Sequence, residues 1–273
     1  MKHIFPKYNH FSTTFNICLA GLLIAIATIC QKVLAINYIP SIPFFRASFG
    51  GPATIIFASI ILGPYFGAFV GAASDLLGYV LFDPKNNAYF FQITILYAVL
   101  GFISYFVFNL VRKIKRDKIS FIVMIAIAFC CLVPIILILS LNEELNLGGV
   151  TYTITLVYRI VVPIALFLLF AMVILFVFLF DHSQKKKGVV QNVSTYTLGL
   201  TSFVIEIIVM VGVGTTMKGW AFGWNLYLMI LVVQIATLFI NICLNTLILS
   251  TIFKTGKRFK IDFDRIESEE NNF

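Results

Sequence analysis

The chain is organised as eight apolar stretches of 14 to 29 residues, separated by connections so short that almost every stretch must follow the last directly. Within the error of sequence-derived boundaries they run Phe11–Ile36, Phe49–Leu62, Tyr65–Phe82, Phe90–Val111, Ile119–Leu141, Tyr152–Phe180, Val189–Thr216 and Asn225–Phe253. A helix needs roughly 20 apolar residues to cross ~30 Å of hydrocarbon, and in lipid every backbone amide must be satisfied within its own helix. Charged residues make up 12% of the 273, about half the share usual in soluble domains, and the mean hydropathy is +0.99. The sequence therefore predicts an all-α polytopic integral membrane protein of eight spans. The second and third spans, parted only by Gly63-Pro64, form a tight helical hairpin.

Charge sets the orientation. With the N-terminus inside, fifteen Lys and Arg fall on the cytoplasmic side: Lys2, Lys7, the cluster from Arg112 to Lys118, Lys185 to Lys187, and five from Lys254 to Arg265. Lys32, Arg46, Lys85 and Lys218 fall outside, and Arg159 lies within a span. Basic residues concentrate on cytoplasmic loops, so both termini are expected in the cytoplasm. The net charge of +8 reflects this bias and not a nucleic-acid partner, since no basic face with interleaved aromatics stands outside the spans. Ala25-Ile26-Ala27 resembles a signal-peptidase site, but the apolar run continues to Ile36, so the first span is expected to stay. The tail after Lys260 is polar.

Catalytic signatures are missing. There is no G-x-x-x-x-G-K-[ST] loop, no H-E-x-x-H and no G-x-S-x-G, and His3, His10 and His182 stand at or near span ends. The five cysteines lie in apolar segments with no C-x-x-C pair and read as small hydrophobes. The chain is expected to be no enzyme, to carry no cofactor, and to bind or conduct a solute.

The third span carries the strongest local signal. Gly67, Gly71, Asp75 and Gly78 share one helical face, with Ala68 and Ala72 beside them. Small residues at four-residue spacing let helices approach closely, and an intramembrane acid must face protein or a wet cavity. Asp75 lies seven residues from the outer end of its span at Phe82, and Arg159 seven from Tyr152, so both are placed roughly 10 Å below the outer surface. Glu206 falls about 15 Å down by the same count. An acid and a base at matched depth either neutralise each other or line one outward pocket. The first span offers Gly21-x-x-x-Ala25, a pattern equally at home in internal packing.

Residues 45–82, FRASFGGPATIIFASIILGPYFGAFVGAASDLLGYVLF, with NAYFFQIT at 87–94, resemble the substrate-binding S subunits of energy-coupling-factor vitamin transporters, most closely the folate branch. The shared features are Arg46-x-Ser48-Phe49, the Gly-Pro hairpin, the G-A-x-x-G-A-x-x-D-x-x-G helix and Ala88-Tyr89-Phe90. The resemblance implies a six-helix membrane fold that binds a vitamin near its outer face and docks on a transmembrane coupling subunit (EcfT-type) carrying two ATPases. Gly21 and Ala25 match the small-residue face that such subunits present to that partner. Two departures stand out. Eight spans exceed six, so residues 1–187 are expected to form the six-helix domain, 188–255 an added helix pair and 256–273 a polar tail. The Pro-Gly that usually follows A-Y-F is here Phe91-Gln92.

Folate chemistry calls for aromatic faces, an acid for the pterin edge and cations for the carboxylate tail. Phe49, Tyr79, Tyr89 and Phe90 are candidate aromatics, Asp75 the candidate acid, and Arg46 and Arg159 the candidate cations. Riboflavin or thiamine would stack on the same residues, and a self-sufficient secondary transporter or channel is the reading from another class.

Overall fold

A computed structural model describes residues 13–34, 50–82, 89–114, 117–141, 144–147, 150–153, 155–186, 193–224 and 227–258. Helices α1 (Thr13–Lys32), α2 (Gly51–Leu62), α3 (Pro64–Phe82), α4 (Phe91–Arg112) and α5 (Asp117–Leu141) lead into a two-stranded hairpin, β1 (Glu144–Leu147) and β2 (Val150–Thr153). Helix α6 (Leu156–Lys186) follows. Then comes one continuous rod made of α7 (Thr195–Ile205), a π-helical segment (Glu206–Val213) and α8 (Gly214–Phe222), and finally α9 (Tyr227–Arg258). Among the described residues five helical stretches are long and apolar enough to cross a membrane: Thr14–Lys32, Pro64–Phe82, Phe91–Arg112, Arg159–Ser183 and Thr195–Phe222. This is a helical multi-pass membrane protein.

Helix α2 is the exception in length. Its 12 residues rise about 18 Å, well short of a bilayer core. It carries apolar residues on all sides, as a helix enclosed by protein does, and Gly51 to Ser59 are all buried among α1, α3, α4 and α9. The chain reverses into α3 through the single residue Gly63, whose φ of 91° is a conformation L-residues with a Cβ rarely adopt. Its amide donates to Ser59 O at 3.0 Å, closing α2, and Pro64 follows as a first helical residue with no amide to satisfy.

The glycine face of α3 packs directly against backbone. A Cβ on Gly67 would stand 2.6 Å from Ser59 Cβ and 2.8 Å from Gly101 O, and one on Gly71 would run into the Tyr97 carbonyl. Polar ties cross the α1–α3 contact: Thr28 Oγ1 donates to Ser74 O at 3.2 Å and Gln31 Nε2 to Ser74 Oγ at 3.4 Å. Close approach with hydrogen bonding is how helices associate where lipid supplies no hydrophobic drive.

Helix α4 joins this first group to the rod of α7 and α8, while α9 packs on α2, α7 and α8. Helix α5 packs on α6 and α7, and α6 on α5, α7 and α9. Of the apolar stretch in α6 only 17% is buried, against 67% for Thr195–Phe222. The rod is thus central and α6 peripheral, its exposed Ile164, Leu168, Met172 and Leu175 suited to lipid. Ser194 begins the rod by accepting from Tyr196 N and donating to Asp117 Oδ1 at 2.8 Å, which holds the starts of α5 and α7 at one end of the bundle.

One boundary differs from the sequence reading. Tyr152 does not open the sixth helix; it lies in β2, paired with Leu145. The β-branched and aromatic Val-Thr-Tyr-Thr that follows Gly148-Gly149 favours an extended strand after a hairpin turn. Arg159 is therefore in the first turn of α6, about 5 Å from its start, and the depth matched to Asp75 by counting from Tyr152 no longer holds.

Candidate functional site

The residues around Asp75 are set by register. Antiparallel packing that puts Gly67 on Gly101 and Gly71 on Tyr97 brings Asp75, one turn further along α3, opposite Thr94 near the start of α4. Thr94 Oγ1 donates to Asp75 Oδ2 at 2.6 Å, and Tyr89 OH lies 2.7 Å from the same Thr94 oxygen. A threonine hydroxyl has one proton, and here it is given to the carboxylate, so the Tyr89 hydroxyl is the donor in the second bond. The result is a directed chain from Tyr89 through Thr94 to Asp75. It runs from an exposed tyrosine to a carboxylate only 5% exposed.

Aromatic rings collar this chain. Tyr79 and Tyr89 lie 5.0 Å apart between centroids, tilted by 49°. Phe90 packs on Phe222 at 4.7 Å and Phe91 edge-on to Trp220 at 5.4 Å, tying the start of α4 to the end of α8. Trp220 and Trp224 are exposed at this end, as tryptophans at a membrane–water boundary are. Lys32 lays its alkyl chain over Gly78, where a Cβ would meet its Cε at 2.7 Å, and so brings a cation to within one turn of Asp75 along α3. The arrangement can hold a flat ring against two tyrosines, offer the Tyr89 oxygen as an acceptor, and present negative charge beneath it.

The structure brings Asp75, Tyr79 and Tyr89 together, with Phe90 adjacent. It does not group Arg159 with them by helix packing: α3 packs on α1, α2 and α4, whereas the half-buried Arg159 belongs to α6, on α5, α7 and α9. Arg46 and Phe49 lie outside the described residues. Gly21 and Ala25 sit on the outward face of α1, beside exposed Leu22, Ile26 and Ile29, and a Cβ on Gly21 would meet nothing within 4 Å. Gly21 and Ala25 therefore do not serve internal packing within the described fold, whereas Ala20 and Ala27 of the same helix do.

Sequence reasoning missed Thr94 and Lys32 as parts of this site. Thr94 fell within the quoted NAYFFQIT run, and the four-residue register of the glycines was the signal that could have placed it.

A cavity of about 430 Å³ lies elsewhere, between α5 and α6, walled by apolar side chains such as Phe121, Phe129, Phe167 and Phe178. With no polar group among its lining residues, it suits an acyl chain better than a polar solute. Among the described residues no cluster of three or more His, Cys, Asp or Glu is placed to hold a metal. No family model, no curated protein and no solved structure matches the chain.

Proposed function

We propose that this chain is the solute-binding membrane subunit of an energy-coupling-factor-type importer in the plasma membrane, with a folate-type vitamin as substrate. The observation that carries the reading is the directed Tyr89–Thr94–Asp75 chain beneath the Tyr79–Tyr89 ring pair, because it is built by the same 63–94 segment that resembles the folate-binding S subunits. Substrate enters from the outer end, where α4 begins and α8 finishes. Eight crossings with both termini inside fit the fifteen-to-four distribution of basic residues.

Packing favours a grouping of six helices other than the one read along the sequence. In this reading α1–α4, the α7–α8 rod and α9 make up the six-helix body, and α5–α6, which packs on α7 and α9, is the added pair. The outward Gly21–Ala25 face of α1 is then open to a separate coupling subunit, which carries the two ATPases that this chain lacks.

The test is reconstitution. Liposomes holding the chain alone should bind folate without accumulating it, and ATP-driven accumulation should appear only when a coupling subunit and two ATPases are added. Arg46→Ala should weaken folate binding roughly 30- to 150-fold, the equivalent of about 2–3 kcal/mol for a lost charge-assisted contact, and leave a tail-less pterin unaffected. Uptake by the chain alone on a sodium or proton gradient would replace this reading with a secondary transporter, the alternative favoured by the buried Glu206 on the π-helical segment.

A further inference from the structure

The rod's π-helical segment opens with Glu206, which is 1% exposed in the middle of the helix bundle. Its Oε1 accepts from Asn245 Nδ2 of α9 at 2.8 Å. Its Oε2 is fully buried with no hydrogen-bond partner. Asn241, one turn before Asn245 on α9, stands beside the same carboxyl, and its Oδ1 also lacks a partner. Ser202, one turn before Glu206 and 0% exposed, has an unpartnered Oγ as well. Helical side chains lean toward the N-terminus, so the Glu206 carboxyl reaches back over the turn that carries Ser202.

Two acceptor oxygens at one buried carboxyl, Glu206 Oε2 and Asn241 Oδ1, therefore lack a donor, with the unpartnered Ser202 hydroxyl one turn away along the rod. An intramembrane ionisable group marks an ion or substrate path unless a partner neutralises it, and the two neutral amides at this carboxyl, Asn245 and Asn241, leave its Oε2 without a donor. The backbone here departs from the ordinary α-helix. At the end of the segment Gly214 N donates to Val209 O, five residues back, and to Val211 O, so the wider spacing is kept to its last turn. Interrupted helices that release carbonyls near the membrane midplane are where transporters coordinate small cations, and π segments recur at functional sites. A proton on Oε2 would serve one neighbouring acceptor; a metal cation serves all of these oxygens at once.

We propose that Glu206, Asn241 and Ser202 form a buried binding site for a monovalent cation, with sodium as the probe. The site does not rest on the outer-site reading, because no residue is shared between them. The helices packed against the π segment are α4, α7, α8 and α9. Their ionisable groups are Tyr97, Tyr105 and Arg112 on α4, Tyr196 on α7, Lys218 on α8, and Tyr227, Cys243, Lys254, Lys257 and Arg258 on α9. Of these, Lys218 acts on the carboxyl electrostatically, without reaching Oε2.

The experiment uses the full chain in mild detergent at fixed pH and ionic strength, comparing sodium, potassium and choline chlorides. Radioactive sodium binding should be saturable, displaced by unlabelled sodium and not by choline. Sodium at about a hundredfold its Kd should raise the melting temperature by at least ~5 °C over choline. Glu206→Gln and Asn241→Leu should each abolish both responses. If Glu206→Gln does not fold, Asn241→Leu and the direct binding measurement on the unaltered chain decide the matter. Equal behaviour in sodium, potassium and choline would overturn the proposal. So would a stability that follows pH and ignores the cation, since Glu206 would then hold a proton.

Discussion

Two glycines on neighbouring helices should respond in opposite directions to the same added methyl group. At Gly71 the new Cβ meets the Tyr97 carbonyl, which is backbone inside α4 and has no rotamer through which to escape. Overpacking of this kind costs about 1–3 kcal/mol. Relief comes only by separating α3 from α4, and one turn along the same contact lies the 2.6 Å Thr94–Asp75 bond. Losing a hydrogen bond to a charged group adds about 1.5–3 kcal/mol, while replacing glycine in a helix interior returns close to 1 kcal/mol. The net for Gly71→Ala is a loss of about 2–4 kcal/mol. At roughly 2–4 °C per kcal/mol for a chain of this size, its melting temperature should fall by about 4–16 °C. Gly21→Ala gains the same helix propensity with nothing within 4 Å to resist it, and should melt about 2–4 °C higher than the parent. Thermal unfolding of both purified variants in one detergent reads the result. Equal shifts, or a Gly71→Ala protein as stable as the parent, would refute the claim that α3 and α4 touch through backbone.

Two further outcomes are expected. Tyr89→Phe removes the hydroxyl at the head of the donor chain and should weaken solute binding by about tenfold with unchanged stability, whereas Asp75→Asn should weaken it further; titration of each in detergent checks this. Gly21→Leu combined with Ala25→Leu should leave folding and solute binding intact, because both positions face outward, yet abolish co-purification with a coupling subunit.

The features legible in the sequence were those with a local period. Apolar runs near 20 residues gave the helices, and four-residue spacing put Gly67, Gly71 and Asp75 on one buried face. Gly63-Pro64 marked the reversal correctly. What escaped was set by partners far along the chain. Asn245 lies 39 residues from Glu206, and nothing in either segment announces their bond. The π segment follows from no residue in EIIVMVGV that an ordinary α-helix would reject. The start of α6 was misplaced because Val-Thr-Tyr-Thr is apolar enough to extend a span and β-branched enough to leave it.

The two buried carboxylates differ in how they are satisfied, and that difference separates their roles. Asp75 is held by Thr94, whose hydroxyl is in turn bonded to Tyr89, close to the aqueous end of the bundle where Tyr89 is 39% exposed. The hydroxyl chain leads from the exposed Tyr89 to the carboxylate, so a ligand arriving at that end meets a preformed acceptor. Glu206 meets the amides of Asn245 and Asn241, has no exposed neighbour in its bonded group, and keeps an oxygen with no hydrogen-bond partner. A membrane chain gains no packing from that oxygen, and a leucine of similar volume would fill the space without the penalty of burying a polar group. The carboxyl at 206 is explained by something that arrives from outside the chain to meet it. Helix α4 stands between the two positions, with Thr94 on Asp75 and Leu96 packed where a Cβ on Gly214 would meet it at 3.4 Å, at the end of the π segment.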